Sequence, residues 1–319
     1  MLKTISSRAQ STAEKLREMG KAQPELHESL RNPQNSDAKT NMNNMLKLSH
    51  YIRELNDLLG VGKKAALIVN EENTKGVVEL LPEGHPEIEL IDKHDNSNLL
   101  SNKKYECPYC RQQFPGKVPI SSRLNEAETT LDQRVIYSNF NILLYNNIVC
   151  PNCNYCDSYR EFARGSEEYY AKFKGNQFGN IENFTGFKDE MAHTFDEAIL
   201  SYYLQLHCLK QVPKSSLRCA KTYHKLHWLF KDCSQDNLAQ EAALKSRAAY
   251  QTYIEENISK IALIDLITLN VIIAELSVFM GEIKMAVDIY TENTIICSTL
   301  KHDLVDKSFV RAKQLKDML

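Results

Sequence analysis

Five of the nine cysteines in this 319-residue chain fall between positions 107 and 156, and four of them form two equal pairs. The pattern is Cys107-Pro108-Tyr109-Cys110, then thirty-nine residues, then Cys150-Pro151-Asn152-Cys153. Zinc takes four tetrahedral ligands and accepts thiolates readily. A Cys-x-x-Cys turn aims two sulfurs at one point, and a proline after the first cysteine fixes φ there. A residue that tolerates positive φ suits the place after the second cysteine. Asn154 meets that need; Arg111 meets it poorly. The competing readings are redox-active or merely buried thiols. A redox Cys-x-x-Cys normally opens a helix and works as one pair, whereas this chain has two pairs, both with proline second. The expectation is a structural Zn2+ on Cys107, Cys110, Cys150 and Cys153. Zinc is favoured over an iron–sulfur cluster because paired knuckles with a long insert match ribbon geometry better. Cys156 makes an overlapping Cys153-x-x-Cys156 pair and could replace a ligand, but the equal spacing of the two pairs makes it the spare thiol. Four thiolates fill the tetrahedron and leave no position for a catalytic water. The sequence has no His-Glu-x-x-His pattern, Gly-rich phosphate loop, nucleophile elbow or kinase signature. No catalytic or organic-cofactor residue is assigned.

A ribbon needs strands to carry its knuckles. Residues 118–120, 134–137 and 143–149 are rich in β-branched and aromatic side chains and read as strands. Beyond an irregular Gly- and aromatic-rich crossover at 165–186, helix signals dominate, at about 187–211, 214–232, 236–257, 261–280, 282–296 and 300–318. Pro213 and Gly281 mark breaks. A small residue and a tyrosine recur four apart, in Ala198/Tyr202, Ala249/Tyr253 and Ala286/Tyr290. The fullest unit is Ile273-Ala274, Gly281, Ile283, Ala286 and Tyr290, which resembles a tetratricopeptide repeat. The copies are spaced irregularly, so the array is degenerate, and ordinary bundle packing explains each pair almost as well. His224 and His227 with Cys219 and Cys233 suggest a second metal site, but the stretch also reads as an ordinary helix.

Upstream, residues 1–30 are polar and helix-compatible, and 31–44 have linker composition. Residues 45–59 repeat apolar positions at three and four, as an amphipathic helix does. Residues 64–92 read as a small strand cluster. The segment Leu59-Gly60-Val61-Gly62-Lys63-Lys64 also resembles a helix–hairpin–helix, whose glycines let amides approach a phosphate. Residues 93–101 are a polar connector.

The composition, 43% hydrophobic and 25% charged with net charge −2, is that of a globular protein. A chain that lives on nucleic acid usually carries a basic excess. Residues 102–164 hold only eight Lys/Arg against six Asp/Glu, so the charge argues against nucleic acid. No stretch reaches the ~18 apolar residues of a membrane helix, since Asp265, Asn270 and Glu275 interrupt the longest tract, and the start lacks a signal-peptide core. No membrane association is expected, and the location expected is the cytoplasm, where thiols stay reduced.

Taken with the two knuckles, Phe114, Val118, Ser121-Ser122-Arg123, Asp132-Gln133-Arg134, Tyr137, Asn141, Tyr145 and Asn154-Tyr155 resemble a bacterial family of unknown function. Its members join a Cys-Pro-x-Cys…Cys-Pro-x-Cys-Gly-Tyr core to tetratricopeptide-like helices. The resemblance covers roughly residues 105–315. The chain departs from it at Asn154, where glycine is usual, and at Cys156, where alanine is usual. It implies a cytoplasmic metal-binding protein and transfers no activity.

The fold expected is α+β, mostly α. It comprises a helix and polar linker (1–44), a small helix-plus-strand module (45–100), a zinc-ribbon-like domain (101–164) and a tetratricopeptide-like helical domain (165–319). The function expected is a non-enzymatic scaffold or adaptor, with structural zinc and a protein partner on the helical array. The alternative is a nucleic-acid-associated regulator that uses the ribbon or the segment from Gly60 to Lys64.

Overall fold

The structure is a computed structural model that describes residues 96–164, 170, 194–212, 214–296 and 302–319, together with 80, 81, 85, 86 and 88. These residues fall in one compact unit, Asn73–Leu319. The expected helix at 45–59, the Gly60–Lys64 segment and most of the strand cluster at 64–92 lie outside the described residues.

The described part is α+β and mostly helical. Six short strands make three separate antiparallel hairpins. β1 (Leu100–Glu106) pairs with β2 (Gln113–Pro119), β3 (Glu126–Thr129) with β4 (Val135–Tyr137), and β5 (Asn147–Val149) with β6 (Cys156–Ser158). The connector read at 93–101 therefore already contains the start of β1. Residues 143–149 are not one strand: Ile142–Tyr145 is a 3-10 turn whose start is capped by Asn141, which accepts from the Leu143 amide at 3.1 Å. That turn buries Leu143, Leu144 and Tyr145 together, which an alternating strand could not do.

Six helices follow, α1 (Phe195–Lys210), α2 (Ser216–Asp232), α3 (Asp236–Asn257), α4 (Leu263–Phe279), α5 (Ile283–Ile296) and α6 (Asp303–Lys316). Each packs on the next in sequence. Their ends follow local chemistry. α1 starts on a capping box in which the Thr194 hydroxyl accepts from the Glu197 amide and the Glu197 carboxylate accepts from the Thr194 amide, satisfying two orphan donors at once. α2 and α4 end with a residue at positive φ, Ser234 at 57° and Gly281 at 78°. In each, the next amide reaches back to the final turn, Gln235 to the Phe230 carbonyl at 2.8 Å and Glu282 to that of Ser277 at 2.9 Å, the closure of a Schellman motif.

α1 is the shared wall of the molecule. Ala198, Ile199, Tyr202 and Leu206 pack with the 142–145 turn and with Leu226, Leu229 and Phe230 of α2. Leu204 and Cys208 instead join the core beneath the cysteines. α4 is likewise buried on two sides, against α5 and α6 through Ile267, Val271 and Ala274 and against α3 through Leu269, Ile272 and Leu276. This accounts for its nearly continuous apolar sequence. Two of the polar residues interrupting it are bridges. Asn270 donates to Asn293 at 3.0 Å, and Glu275 accepts from the Tyr290 hydroxyl at 2.7 Å and Arg311 Nε at 2.8 Å.

The small-residue/tyrosine pairs differ in burial. Ala198/Tyr202 and Ala286/Tyr290 are fully buried. Ala249 and Tyr253 are only half-buried. The buried pair in α3 is Ser246/Tyr250, three residues earlier.

Candidate metal centre

Both knuckles are built the same way. Each sits at the turn of a hairpin, Cys107 and Cys110 between β1 and β2, Cys150 and Cys153 between β5 and β6. The Cys107 amide donates to the Gln112 carbonyl at 2.9 Å, and the Arg111 amide donates back to the Cys107 carbonyl at 2.9 Å. The second turn repeats this, Cys150 to Tyr155 at 2.9 Å and Asn154 to Cys150 at 3.0 Å. The residue after each second cysteine is left-handed, Arg111 at φ 64° and Asn154 at φ 59°. Arg111 thus takes the conformation its type suits poorly, at a cost on the order of 1 kcal/mol. The geometry of the turn overrides the preference of the side chain.

These turns bring the four sulfurs together. All four Sγ atoms lie within 4.8 Å of one another, with Cys107 to Cys153 at 3.6 Å and Cys110 to Cys150 at 3.5 Å. Four sulfurs at about 2.3 Å from a tetrahedral zinc would be about 3.8 Å apart. A disulfide would need about 2.05 Å. The contacts therefore fit a metal tetrahedron far better than a bridge, and the four thiols could hold a metal ion. Cys107 and Cys150 are fully buried and the other two half-buried. The thiols share charge: that of Cys107 supports an ionised Cys150 and holds it far below the ordinary thiol range, while Cys107 and Cys153 are pushed up by the neighbouring sulfurs. Four thiolates at this separation repel, and a divalent cation removes the repulsion.

Cys156 stands outside the cluster. It lies in β6, and its thiol donates to the Ser201 carbonyl of α1 at 3.2 Å; complete burial pushes its pKa well up. Nor do His224, His227, Cys219 and Cys233 gather as ligands among the described residues. His227 Nδ1 donates to the Ala239 carbonyl at 3.0 Å, and His224 Nε2 meets Asp132 at 3.2 Å.

Beneath the sulfurs lies an aromatic floor. Phe162, fully buried, sits with its ring centroid 5.4 Å from Tyr105, 5.7 Å from Phe114 and 5.3 Å from Tyr155. Gly116 allows this packing: a Cβ there would stand 3.0 Å from the Tyr105 ring. Two polar clamps then tie the hairpins to the helices. In the first, buried Asp157 of β6 accepts from the Tyr155 hydroxyl at 3.1 Å and Gln205 of α1 at 3.0 Å, and pairs with Arg218 of α2. The second is at the β3–β4 turn. Asp132 accepts from Trp228 Nε1 at 2.6 Å and from His224, both on α2, while Arg134 pairs with Asp232 through two bonds at 3.0 and 2.6 Å. Burial would raise the Asp132 pKa, but His224, Thr130 and Trp228 outweigh it and hold the carboxyl far below its ordinary range.

Asp132, Arg134, Asn141 and Tyr145, all part of the sequence resemblance, are thus framework residues. Asp157, equally central, carried no sequence signal: its helix partners lie 48 and 61 residues away.

A family model described as an uncharacterized protein conserved in bacteria (DUF2225) matches residues 100–319. No curated protein and no solved structure matches the chain.

Proposed function

The chain belongs to that family of uncharacterized bacterial proteins, and from this premise we propose that it is a non-enzymatic adaptor. Zinc on Cys107, Cys110, Cys150 and Cys153 staples a ribbon-like module onto a tetratricopeptide-like array, and the array receives a protein partner in the cytoplasm. The observation that carries the reading is the four-sulfur cluster on two matching knuckles. Its ligand set is complete, as in structural sites, and its floor shares Leu204 and Cys208 with α1. A staple here therefore acts on the helices as well as on the hairpins. The buried Ala274, Ala286 and Tyr290 around the Gly281 turn support the repeat-like stacking. No helix among the described residues is long and apolar enough to cross a membrane.

A second reading, a nucleic-acid-associated regulator, draws on the β1–β2 hairpin, where Lys103 and Lys104 stand exposed beside a shallow hollow lined by Asn102, Gln113, Phe114 and Pro115. The test is affinity capture with the full-length, metal-loaded chain, identifying bound protein and nucleic acid, followed by titration of captured species over a range of salt. Stoichiometric protein capture that weakens when metal is removed supports the adaptor. Oligonucleotide binding that survives physiological salt and falls on Lys103→Glu with Lys104→Glu would replace it with the regulator.

A further inference from the structure

α6 buries Val305, Ser308, Ala312 and Leu315. Its other side carries an apolar pair, Phe309 at 64% and Val310 at 54% exposure, among exposed Asp303, Asp306, Lys313 and Lys316. At 100° per residue these six lie within an arc of about 140°. Covering these two adjacent apolar side chains would remove apolar surface from water.

The charges along this face are ordered about the midpoint between Phe309 and Val310. Asp306 stands three residues before Phe309 and Lys313 three after Val310; Asp303 stands six before and Lys316 six after. Two copies of α6 laid antiparallel about a two-fold axis through that midpoint would set Phe309 against Phe309 and Val310 against Val310 of the second copy, because the two side chains lie on opposite flanks of the face. Asp306 and Lys313 both lie near the centre line of the face, so Asp306 would face Lys313, a contact made twice. A parallel pairing in register would set acid on acid and base on base. A face complementary to itself under a two-fold rotation is what an isologous interface requires. Asp303 and Lys316 lie on opposite flanks, and Asp303 meets Lys307 of its own helix at 2.6 Å, so the Asp306–Lys313 contact is the discriminator.

We propose that this face of α6 is a self-association surface on which a second copy of the chain docks antiparallel. A helix of fourteen residues is about 21 Å long, so the contact is small by the standard of stable complexes. The dimer should therefore be concentration-dependent.

The test is sedimentation equilibrium of the full-length, metal-loaded chain over a wide concentration range. The wild type should pass from monomer to dimer, and Phe309→Asp should remain monomeric. Asp306→Lys and Lys313→Asp should each weaken the dimer about tenfold, because each sets like charges together twice. The double variant Asp306→Lys/Lys313→Asp should regain nearly all of the loss, since it exchanges both partners of the contact. All these side chains are exposed, so thermal melts of the monomer should match the wild type. A wild type that stays monomeric throughout would overturn the proposal. A dimer indifferent to Phe309→Asp would overturn it too, as would a double variant no better than the single ones.

Discussion

Cys107 and Cys150 are fully buried, so losing either thiolate leaves a gap in the ligand set that water reaches poorly. Cys107→Ser or Cys150→Ser is expected to abolish metal retention through gel filtration, measured by elemental analysis. Cys156→Ser should leave retention nearly intact, because its partner is the Ser201 carbonyl, which a hydroxyl serves as well. Equal metal loss in Cys156→Ser and Cys150→Ser would mean a different ligand set. Arg111, at φ 64°, allows a prediction of the opposite sign. Arg111→Gly should stabilise the metal-loaded protein by up to about 1 kcal/mol, because its salt bridge to Glu106 is long and exposed and contributes little. An unchanged or lower thermal midpoint would refute the strain argument. The knuckles were legible because each is a local device, complete within six residues. The left-handed Arg111 was not, because the turn's hydrogen bonds, rather than the arginine, choose its backbone conformation.

The β3–β4 hairpin has one exposed strand and one half-buried strand, and little apolar surface of its own to hold it on α2. Asp132 and Arg134 supply that attachment. Asp132→Ala would orphan Trp228 Nε1 and remove an acceptor from buried His224, so a loss of about 2–4 kcal/mol is expected in urea unfolding. A loss below about 0.5 kcal/mol, the range of an ordinary surface change, would show that the hairpin docks by other means. The helices were readable because their burial repeats at 3.6 residues over three turns or more, and five of the six start within three residues of the expected position. The sixth, α1, begins at a Thr194/Glu197 capping box that is itself written in the sequence. The strands were less legible. They run for only three to seven residues, too short for alternation to separate from a 3-10 turn such as Ile142–Tyr145. Ala249/Tyr253 shows the same limit in a helix: spacing proposes a pair, but which face is buried depends on α2 and α4.

At the scale of the whole molecule, two of the cores run from hairpins to helices, so a metal held by the cysteines is expected to stabilise both. The stability of the chain should also carry the signature of buried histidine. Burial lowers the His227 pKa to about 4, below the roughly 6.5 of an unfolded histidine. The unfolded chain therefore takes up the proton first as pH falls. The stabilisation is complete above about pH 6.5 and is lost progressively toward pH 4, by at most about 3 kcal/mol. Urea midpoints from pH 7 to 5 should fall less steeply in His227→Gln than in the wild type; parallel slopes would show that His227 does not contribute. Metal loss at acid pH affects both proteins and cancels in the comparison. The fit of four sulfurs within 4.8 Å to a metal tetrahedron underlies both the staple and the adaptor. X-ray absorption at the zinc edge of the protein as isolated tests it directly. The expected result is one zinc per chain with four sulfur neighbours at about 2.3 Å and no nitrogen or oxygen in the first coordination sphere. A mixed shell, another metal in place of zinc, or reduced protein with no metal at all would contradict it.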